Sequence, residues 1–124
     1  MSTGPETRIV KLILDAAKAL PMPIWIEKIH GGPYQAAGIP DLIGCYEGEL
    51  FGVEVKDPDA LVTPSERAAV EKLTSLGIPT GRAKGCTALQ ALHIRRIIDA
   101  GGRAGVATGV EEALAIITER HVRT

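Results

Sequence analysis

The chain has 124 residues, of which 45% are hydrophobic and 23% are charged, and its formal net charge at pH 7 is −1. These values are ordinary for one globular domain with a single core, and they give no overall basic signal for nucleic-acid binding. No apolar run approaches the length of a membrane span and no secretory signal pattern is present, so we expect one cytoplasmic domain over residues 1–124, with no membrane contact.

The two cysteines, Cys45 and Cys86, are far apart in the sequence and lack the spacing of metal ligands. Cys45 falls on a predicted strand, where we expect it to be a small buried hydrophobic residue. We therefore predict no zinc site.

The first predicted element is a helix that begins near Thr3 and ends before Pro21 and Pro23. Thr3 and Glu6 form a T-x-x-E capping box, and Pro5 suits the first helical turn. The apolar stripe of this helix consists of Ile9, Ile13, Ala16, Ala17 and Leu20. Glu6 lies on the same stripe, so two interpretations stay open: it caps the helix, or it directs a carboxylate toward the hairpin that follows.

Residues 24–29 alternate between apolar and polar side chains and predict a strand. The segment 30–35 contains glycine and proline and predicts a loop. We interpret His30 in this loop as a hydrogen-bonding residue and not as a general base.

The segment 39–56 predicts a β-hairpin, because two runs of β-branched and aromatic residues flank Glu47-Gly48. A two-residue loop at these positions places Asp41 directly opposite Glu54, with their Cβ atoms roughly 5 Å apart. Lys56 follows two residues later on the same face. Two carboxylates this close repel unless one is protonated or a cation lies between them, and a hard divalent cation such as Mg²⁺ prefers such oxygen ligands.

The second strand of the hairpin has two different faces. The apolar face, which we expect to pack on a helix, consists of Phe51, Val53 and Val55. The other face carries Leu50, Gly52, Glu54 and Lys56. Gly52 predicts room for a ligand or for a close backbone approach. A simpler interpretation of Glu54 and Lys56 is an exposed strand pair with little effect on stability.

The rest of the chain predicts a helix over 64–76, a second helix from about 87 to 101, a short buried strand over 103–108 and a final helix over 110–120. Gln90 lies near the centre of the apolar stripe of the second of these helices. A glutamine on an inward stripe needs a hydrogen-bond partner, which is either the backbone or the charged face of the hairpin.

Pro40-Asp41 followed by Glu54-x-Lys56 resembles the signature of the PD-(D/E)xK nucleases. Within that superfamily, five segments resemble the small stand-alone VRR-NUC domains of phages and bacteria. These segments are His30–Gln35, Gly38–Gly44, Gly52–Lys56, Thr87–Gln90 and Ala100–Val106. The resemblance implies an α/β fold with a restriction-endonuclease-like αβββαβ core, in which helices flank a mixed central sheet. Residues 58–85 are longer than the usual link and imply an insertion with an extra helix, so Glu66 is an alternative to Gln90 for the glutamine position.

The resemblance also implies a metal-dependent nuclease mechanism. The implied ligands of Mg²⁺ or Mn²⁺ are Asp41, Glu54 and the backbone carbonyl of Val55, with Glu6 bound directly or through water. Lys56 would orient or activate the attacking water, and Gln90 would position Lys56 or a phosphate.

The implied substrate is DNA, with a preference for branched or four-way junction structures, in a bacterial or phage-infected cell. The residues expected to contact DNA are Tyr34, Gln35 and Lys28. Because one chain has one site, symmetric cutting of a junction would require a homodimer. Two alternatives stay open: a nuclease fold that has lost catalysis and binds DNA or a protein, and a sequence-specific restriction-like nuclease.

Overall fold

The structure is a computed structural model that describes residues 4–31 and 36–119. The elements in these ranges are, in chain order, α1 (Pro5–Ala17), β1 (Ile24–Lys28), β2 (Leu42–Tyr46), β3 (Glu49–Val55), α2 (Pro64–Ser75), α3 (Ala88–Asp99), β4 (Arg103–Ala107) and α4 (Val110–Thr118). They agree in type and order with the elements expected from the sequence. In the part of the chain that is described, no helix is both long enough and apolar enough to cross a bilayer.

The four strands form one mixed sheet in the order β1-β2-β3-β4. The first three strands are antiparallel neighbours, whereas β4 pairs with β3 in parallel. A parallel neighbour cannot follow through a tight turn, so the chain crosses over through α2 and α3 before β4 begins. The protein is therefore an α/β structure in which helices flank a four-stranded mixed sheet, as predicted.

The hairpin between β2 and β3 has the predicted two-residue loop. Glu47 has a φ angle of 55° and Gly48 one of 80°, which is the left-handed backbone that such a turn requires. Tyr46 pairs with Glu49 and Leu42 pairs with Val53. Continuing this register by one residue sets Asp41 opposite Glu54, as the sequence predicted.

One face of the sheet packs against α1 and α4. The apolar face of β3 lies here, as expected, with Phe51, Val53 and Val55 fully buried. The helices contribute Val10 and Ile13 from α1, and Ala113, Ile116 and Ile117 from α4. This core fixes the apolar face of β3, so the opposite face of the strand must point toward α3.

The other face of the sheet is covered by α3, which packs on β3 and β4, while α2 packs on the outside of α3. The core on this side of the sheet consists of Val70, Leu73, Ile78, Cys86, Ala91, Ile94, Ile98, Ala104 and Val106. Both α2 and α3 begin with a complete capping box, at Thr63 with Glu66 and at Thr87 with Gln90. These boxes fix where each helix begins.

Two expectations about the α3 side of the sheet were wrong. Cys45 is exposed and not buried, because α3 covers β3 and β4 and leaves the side chains of β1 and β2 on this face accessible. Gly52 does not leave room for a ligand. A Cβ atom there would lie 2.7 Å from Ile97 Cδ1 and 3.1 Å from Pro40 Cγ, so protein side chains fill that space.

The N-terminus of α1 also differs from the sequence-based interpretation. The N-cap residue is Gly4, and no side chain within residues 4–31 and 36–119 makes a capping hydrogen bond to this helix end. Thr3, the other half of the predicted capping box, lies outside the described residues.

Candidate functional site

Asp41 lies at the start of β2, where its backbone and its side chain bond to two different strands. Its backbone oxygen accepts a hydrogen bond of 2.8 Å from the Ile29 N–H. Its Oδ2 accepts another of 2.8 Å from the Val55 N–H. Both distances are those of good hydrogen bonds, so the carboxylate of Asp41 is held in place beside the end of β3.

Glu54 is a buried carboxylate with only 3% of its surface exposed. Its Oε2 accepts a hydrogen bond of 2.9 Å from Gln90 Nε2 and lies 3.6 Å from Lys56 Nζ. Its Oε1 is buried and has no hydrogen-bond partner within the described residues. The interpretation of Glu54 and Lys56 as an exposed strand pair is therefore wrong.

The pKa of Glu54 is raised from 4.5 to about 8, chiefly by burial. The negative charge of Asp41, the hydrogen bond that a protonated Glu54 can make to Asp41 and the charge of Glu6 contribute to this rise, whereas the positive charge of Lys56 opposes it. The two carboxyl groups therefore lie close enough to compete for one proton. They form a pair that is stable when a proton or a cation lies between them.

The backbone carbonyl of Val55 faces the same side of β3 as Asp41. Lys56 N–H donates to the Ala107 oxygen of β4 at 3.0 Å, whereas Val55 N–H donates to Asp41 on the β2 side. The N–H and C=O of one strand residue point to the same side, so the Val55 oxygen is directed toward β2 as well.

These donors fit a hard divalent cation. The unpartnered Glu54 Oε1, the neighbouring Asp41 carboxylate and the Val55 carbonyl are all oxygen ligands on one side of β3. No group of three or more His, Cys, Asp or Glu side chains is arranged to hold a metal ion within residues 4–31 and 36–119. Two carboxylates suffice for Mg²⁺, which usually keeps several waters and binds one or two carboxylates together with phosphate oxygens of a substrate.

Gln90 makes hydrogen bonds both to the backbone and to the charged face of the hairpin, the two possibilities that the sequence left open. Its Oε1 accepts a hydrogen bond of 2.8 Å from the Thr87 N–H, which completes the capping box of α3. Because this oxygen faces a donor, the amide nitrogen must point the other way, where it donates to Glu54 Oε2. One side chain therefore begins α3 and orients the buried carboxylate.

Lys56 and Glu6 both line a small cavity of about 160 Å³, and Lys56 Nζ also lies 3.6 Å from Glu54 Oε2. Lys56 is largely buried, with 19% of its side chain exposed. Glu6 is exposed on the first turn of α1 and lines the cavity. It makes no hydrogen bond to Glu54 within the described residues. Its negative charge still reaches Glu54 and raises the pKa of that carboxyl.

Glu66, the alternative to Gln90, occupies a different position. Its Oε1 accepts a hydrogen bond of 2.8 Å from the Thr63 N–H at the start of α2. This cap lowers the pKa of Glu66. Glu66 lines the same cavity as Lys56 but makes no hydrogen bond to Glu54 within the described residues.

Of the three residues expected to contact DNA, the structure describes only Lys28. Lys28 pairs with Leu42, whose side chain lies in the core under α1 and α4, so Lys28 shares that face and not the face of Glu54. Tyr34 and Gln35 lie outside the described residues.

Two charged residues at the cavity were missed by the sequence reasoning. Asp57 lines the cavity and directly follows Lys56 in the sequence, so its position next to the Glu-x-Lys segment could have identified it as a candidate. Lys84 comes from the segment between α2 and α3, and no spacing in the sequence linked it to Lys56. The segment packs here because Gly85 lies against Glu66 and Val62, where a Cβ atom would come within 2.9 Å of both side chains.

A scan against protein-family models, a search of curated proteins and a search of solved structures each found no match to this chain.

Proposed function

We propose that the protein is a metal-dependent endonuclease that hydrolyses DNA phosphodiester bonds. The observation that carries the proposal is the buried Glu54 carboxylate, whose Oε1 has no partner in the described part of the chain although Asp41 lies beside it. Leaving a buried polar oxygen without a partner is destabilising, so such a group is expected where it binds a ligand.

The order of the elements supports a restriction-endonuclease-like core. If α2 is the helix of an insertion within 58–85, then α1, β1, β2, β3, α3 and β4 follow the αβββαβ order. In that arrangement Asp41, Glu54 and Lys56 occupy one end of the central hairpin, and α3 brings Gln90 to them.

Mg²⁺ or Mn²⁺ held by Asp41, Glu54 and the Val55 carbonyl would polarise the scissile phosphate and lower the pKa of a bound water. Lys56 orients that water and offsets the negative charge that develops on the phosphate in the transition state. Gln90 holds Glu54 through Oε2 and leaves Oε1 directed at the ligand position. Glu6, which lines the neighbouring cavity, would reach the metal directly or through water.

The preference for branched or four-way junction DNA rests on the resemblance to stand-alone VRR-NUC domains. In this proposal Tyr34 and Gln35 contact the DNA near the site, whereas Lys28, on the opposite face of the sheet from Glu54, does not. The protein would act in a bacterial or phage-infected cell, where such substrates arise during replication and repair.

Cleavage assays with linear duplex, single-stranded, flap and four-way junction DNA test the proposal in Mg²⁺, Mn²⁺ or EDTA. We expect cleavage that requires the metal. Lys56→Ala should lower the rate about 10²–10³-fold, because it removes a group that acts on transition-state charge. Asp41→Asn should lower it at least as much.

The matched controls are Asp15→Asn and Lys72→Ala, which change the same residue types at exposed helical positions. Both should cleave like the wild type. Activity that survives EDTA or Asp41→Asn would rule out the metal-nuclease mechanism. Tight DNA binding without cleavage in either metal would favour a binding module instead.

A further inference from the structure

Leu61, in the segment between β3 and α2, is fully exposed. It has 100% of its surface in solvent, the largest exposed fraction among the large apolar side chains of the described residues. Burying a leucine side chain is worth roughly 1.5–3 kcal/mol relative to leaving it in water. A leucine that forgoes this gain is suited to contact another molecule if the chain holds it in place and a ligand passes nearby.

The segment that carries Leu61 is fixed at both ends. Before it, the Ala60 N–H donates to the Asp57 carbonyl at 3.2 Å, and the Asp59 N–H donates to Asp57 Oδ1 at 3.0 Å. After it, a complete capping box begins α2. Leu61 is therefore displayed on an ordered turn, and a contact that it makes costs little backbone entropy.

Leu61 also borders the candidate nuclease site. It lines the cavity of about 160 Å³ together with Lys56, whose Nζ lies 3.6 Å from Glu54 Oε2. Because this cavity is small, Leu61 lies within a few base steps, of about 3.4 Å each, from the carboxylate pair. A DNA strand that brings a phosphate to the pair therefore passes Leu61.

The charges around the cavity leave a cation available for the DNA backbone. Glu66 and Asp57, two of the three acidic side chains that line it, accept hydrogen bonds from backbone N–H groups. The third, Glu6, is assigned to the metal in the proposed function. Lys84 lines the same cavity, is exposed and makes no ion pair in the described part of the chain. Its ammonium group can therefore bind a phosphate.

An apolar side chain next to a backbone contact senses how well the bases are stacked. Inserting it between paired bases unstacks one step, which costs a few kcal/mol. The cost is smallest where the base is mismatched or already unpaired. Such a side chain therefore favours DNA in which stacking is interrupted over a continuous duplex.

We propose, resting on the proposed function, that Leu61 enters an open base step next to the scissile phosphate and that Lys84 binds a neighbouring phosphate. Leu61 is then the residue that determines specificity for DNA structure. The substrate class is DNA whose stacking is interrupted near the cut, including a mismatch or a bulge within an otherwise continuous duplex. This class is broader than the branched DNA that the resemblance implies.

Cleavage of three matched DNAs in Mg²⁺ tests the role of Leu61: a continuous duplex, the same duplex with a bulge, and a four-way junction. We expect the wild type to cut the bulged duplex and the junction with a kcat/KM about tenfold higher than that for the continuous duplex. Leu61→Asn, with a polar side chain of similar size, should reduce this preference to about twofold, whereas Leu61→Met should keep it. Neither change removes packing, because Leu61 is fully exposed. Leu12→Asn, at a 58% exposed position of α1 outside the cavity, is the matched control and should keep the preference.

The fluorescence of 2-aminopurine placed beside the cut reports the stacking directly. With Ca²⁺ in place of Mg²⁺, binding of the wild type should raise the emission of the bulged duplex about twofold, because the inserted leucine separates the bases. Leu61→Asn should remove most of this rise at saturating protein, and Leu12→Asn should not.

The contact of Lys84 has a different signature. Lys84→Ala should weaken binding of all three DNAs by a similar factor, because a phosphate contact does not distinguish them. It should also lower the slope of log K against log salt by about 0.7–0.9, the value for one lost phosphate contact. Lys72→Ala, at an exposed position of α2 outside the cavity, should leave the slope unchanged.

The failure of this inference can be told apart from the failure of the proposed function. If the wild type cuts DNA but Leu61→Asn keeps the preference for interrupted stacking, the inference is overturned and the proposed function stands. An unchanged salt slope in Lys84→Ala overturns the assigned phosphate contact. A wild type that cuts none of the three DNAs in Mg²⁺ or Mn²⁺ overturns the proposed function, and the inference with it.

Discussion

Glu54 is a residue at which burial and charge oppose each other. It is almost fully enclosed and its pKa is raised to about 8. The nearby Asp41 carboxylate contributes to this rise through its negative charge. Without a cation, the protonated form is favoured at neutral pH, and the proton can lie between Glu54 and Asp41. A divalent cation would have to displace this proton, so metal binding and proton release are coupled at this residue.

The raised pKa of Glu54 makes stability depend on pH. Between pH 4.5 and 8 the folded protein keeps a proton that the unfolded chain releases, so the free energy of unfolding should fall as the pH rises through this interval. We expect a loss of about 4 kcal/mol in EDTA, measured by urea unfolding at pH 5 and pH 8.5. Glu54→Gln should remove most of this loss, because its amide cannot ionise. Glu71→Gln, at an exposed position of α2, should retain it; equal slopes in all three proteins would contradict the assignment.

At the scale of elements, α3 connects a local sequence signal to the site. Its first turn is built by the Thr87–Gln90 box, and the same glutamine donates to Glu54. The helix start and the carboxylate orientation therefore depend on one side chain, but they are separable. The two functions use opposite ends of the amide, with the oxygen on the helix and the nitrogen on the carboxylate.

Two variants of this box separate its roles. Thr87→Ala removes the cap and should lower the free energy of unfolding by about 1 kcal/mol, with no change in the pH at which Mg²⁺ binds. Gln90→Glu keeps a residue that suits the box but replaces the donor to Glu54 with a carboxylate. It should raise the pH midpoint of Mg²⁺ binding, measured by titration calorimetry from pH 6 to 9. A glutamine with a purely structural role would give the opposite pattern, with stability changed and the midpoint constant.

The hairpin shows what the sequence could predict. Glu47-Gly48 specifies a two-residue turn, the turn specifies the register, and the register brings Asp41 to Glu54. Side chains alternate between the two faces of a strand, so the apolar positions of β3 also identified the face that packs in the core. These are local features, in which the residues that decide the structure lie within one hairpin.

The exposure of Cys45 and the filling of Gly52 could not be predicted in this way. Both depend on where α3 lies over the sheet, and this is set by a crossover connection far along the chain. Arg103 is a similar case. Its guanidinium is buried and bonds to Glu49 and to the Ile117 carbonyl, which come from the hairpin and from α4. Such long-range partners leave no spacing signal in the sequence.

At the scale of the whole molecule, the placement of α3 has two consequences. Because α3 lies over β3 and β4, it brings Gln90 to the carboxylate pair and encloses Glu54. Because α3 does not cover β1 and β2, Trp25 and Cys45 stay accessible on the same face as a groove that the C-terminal half of α3 helps to form. The same asymmetry therefore encloses the candidate site and leaves an apolar surface accessible on one face of the sheet.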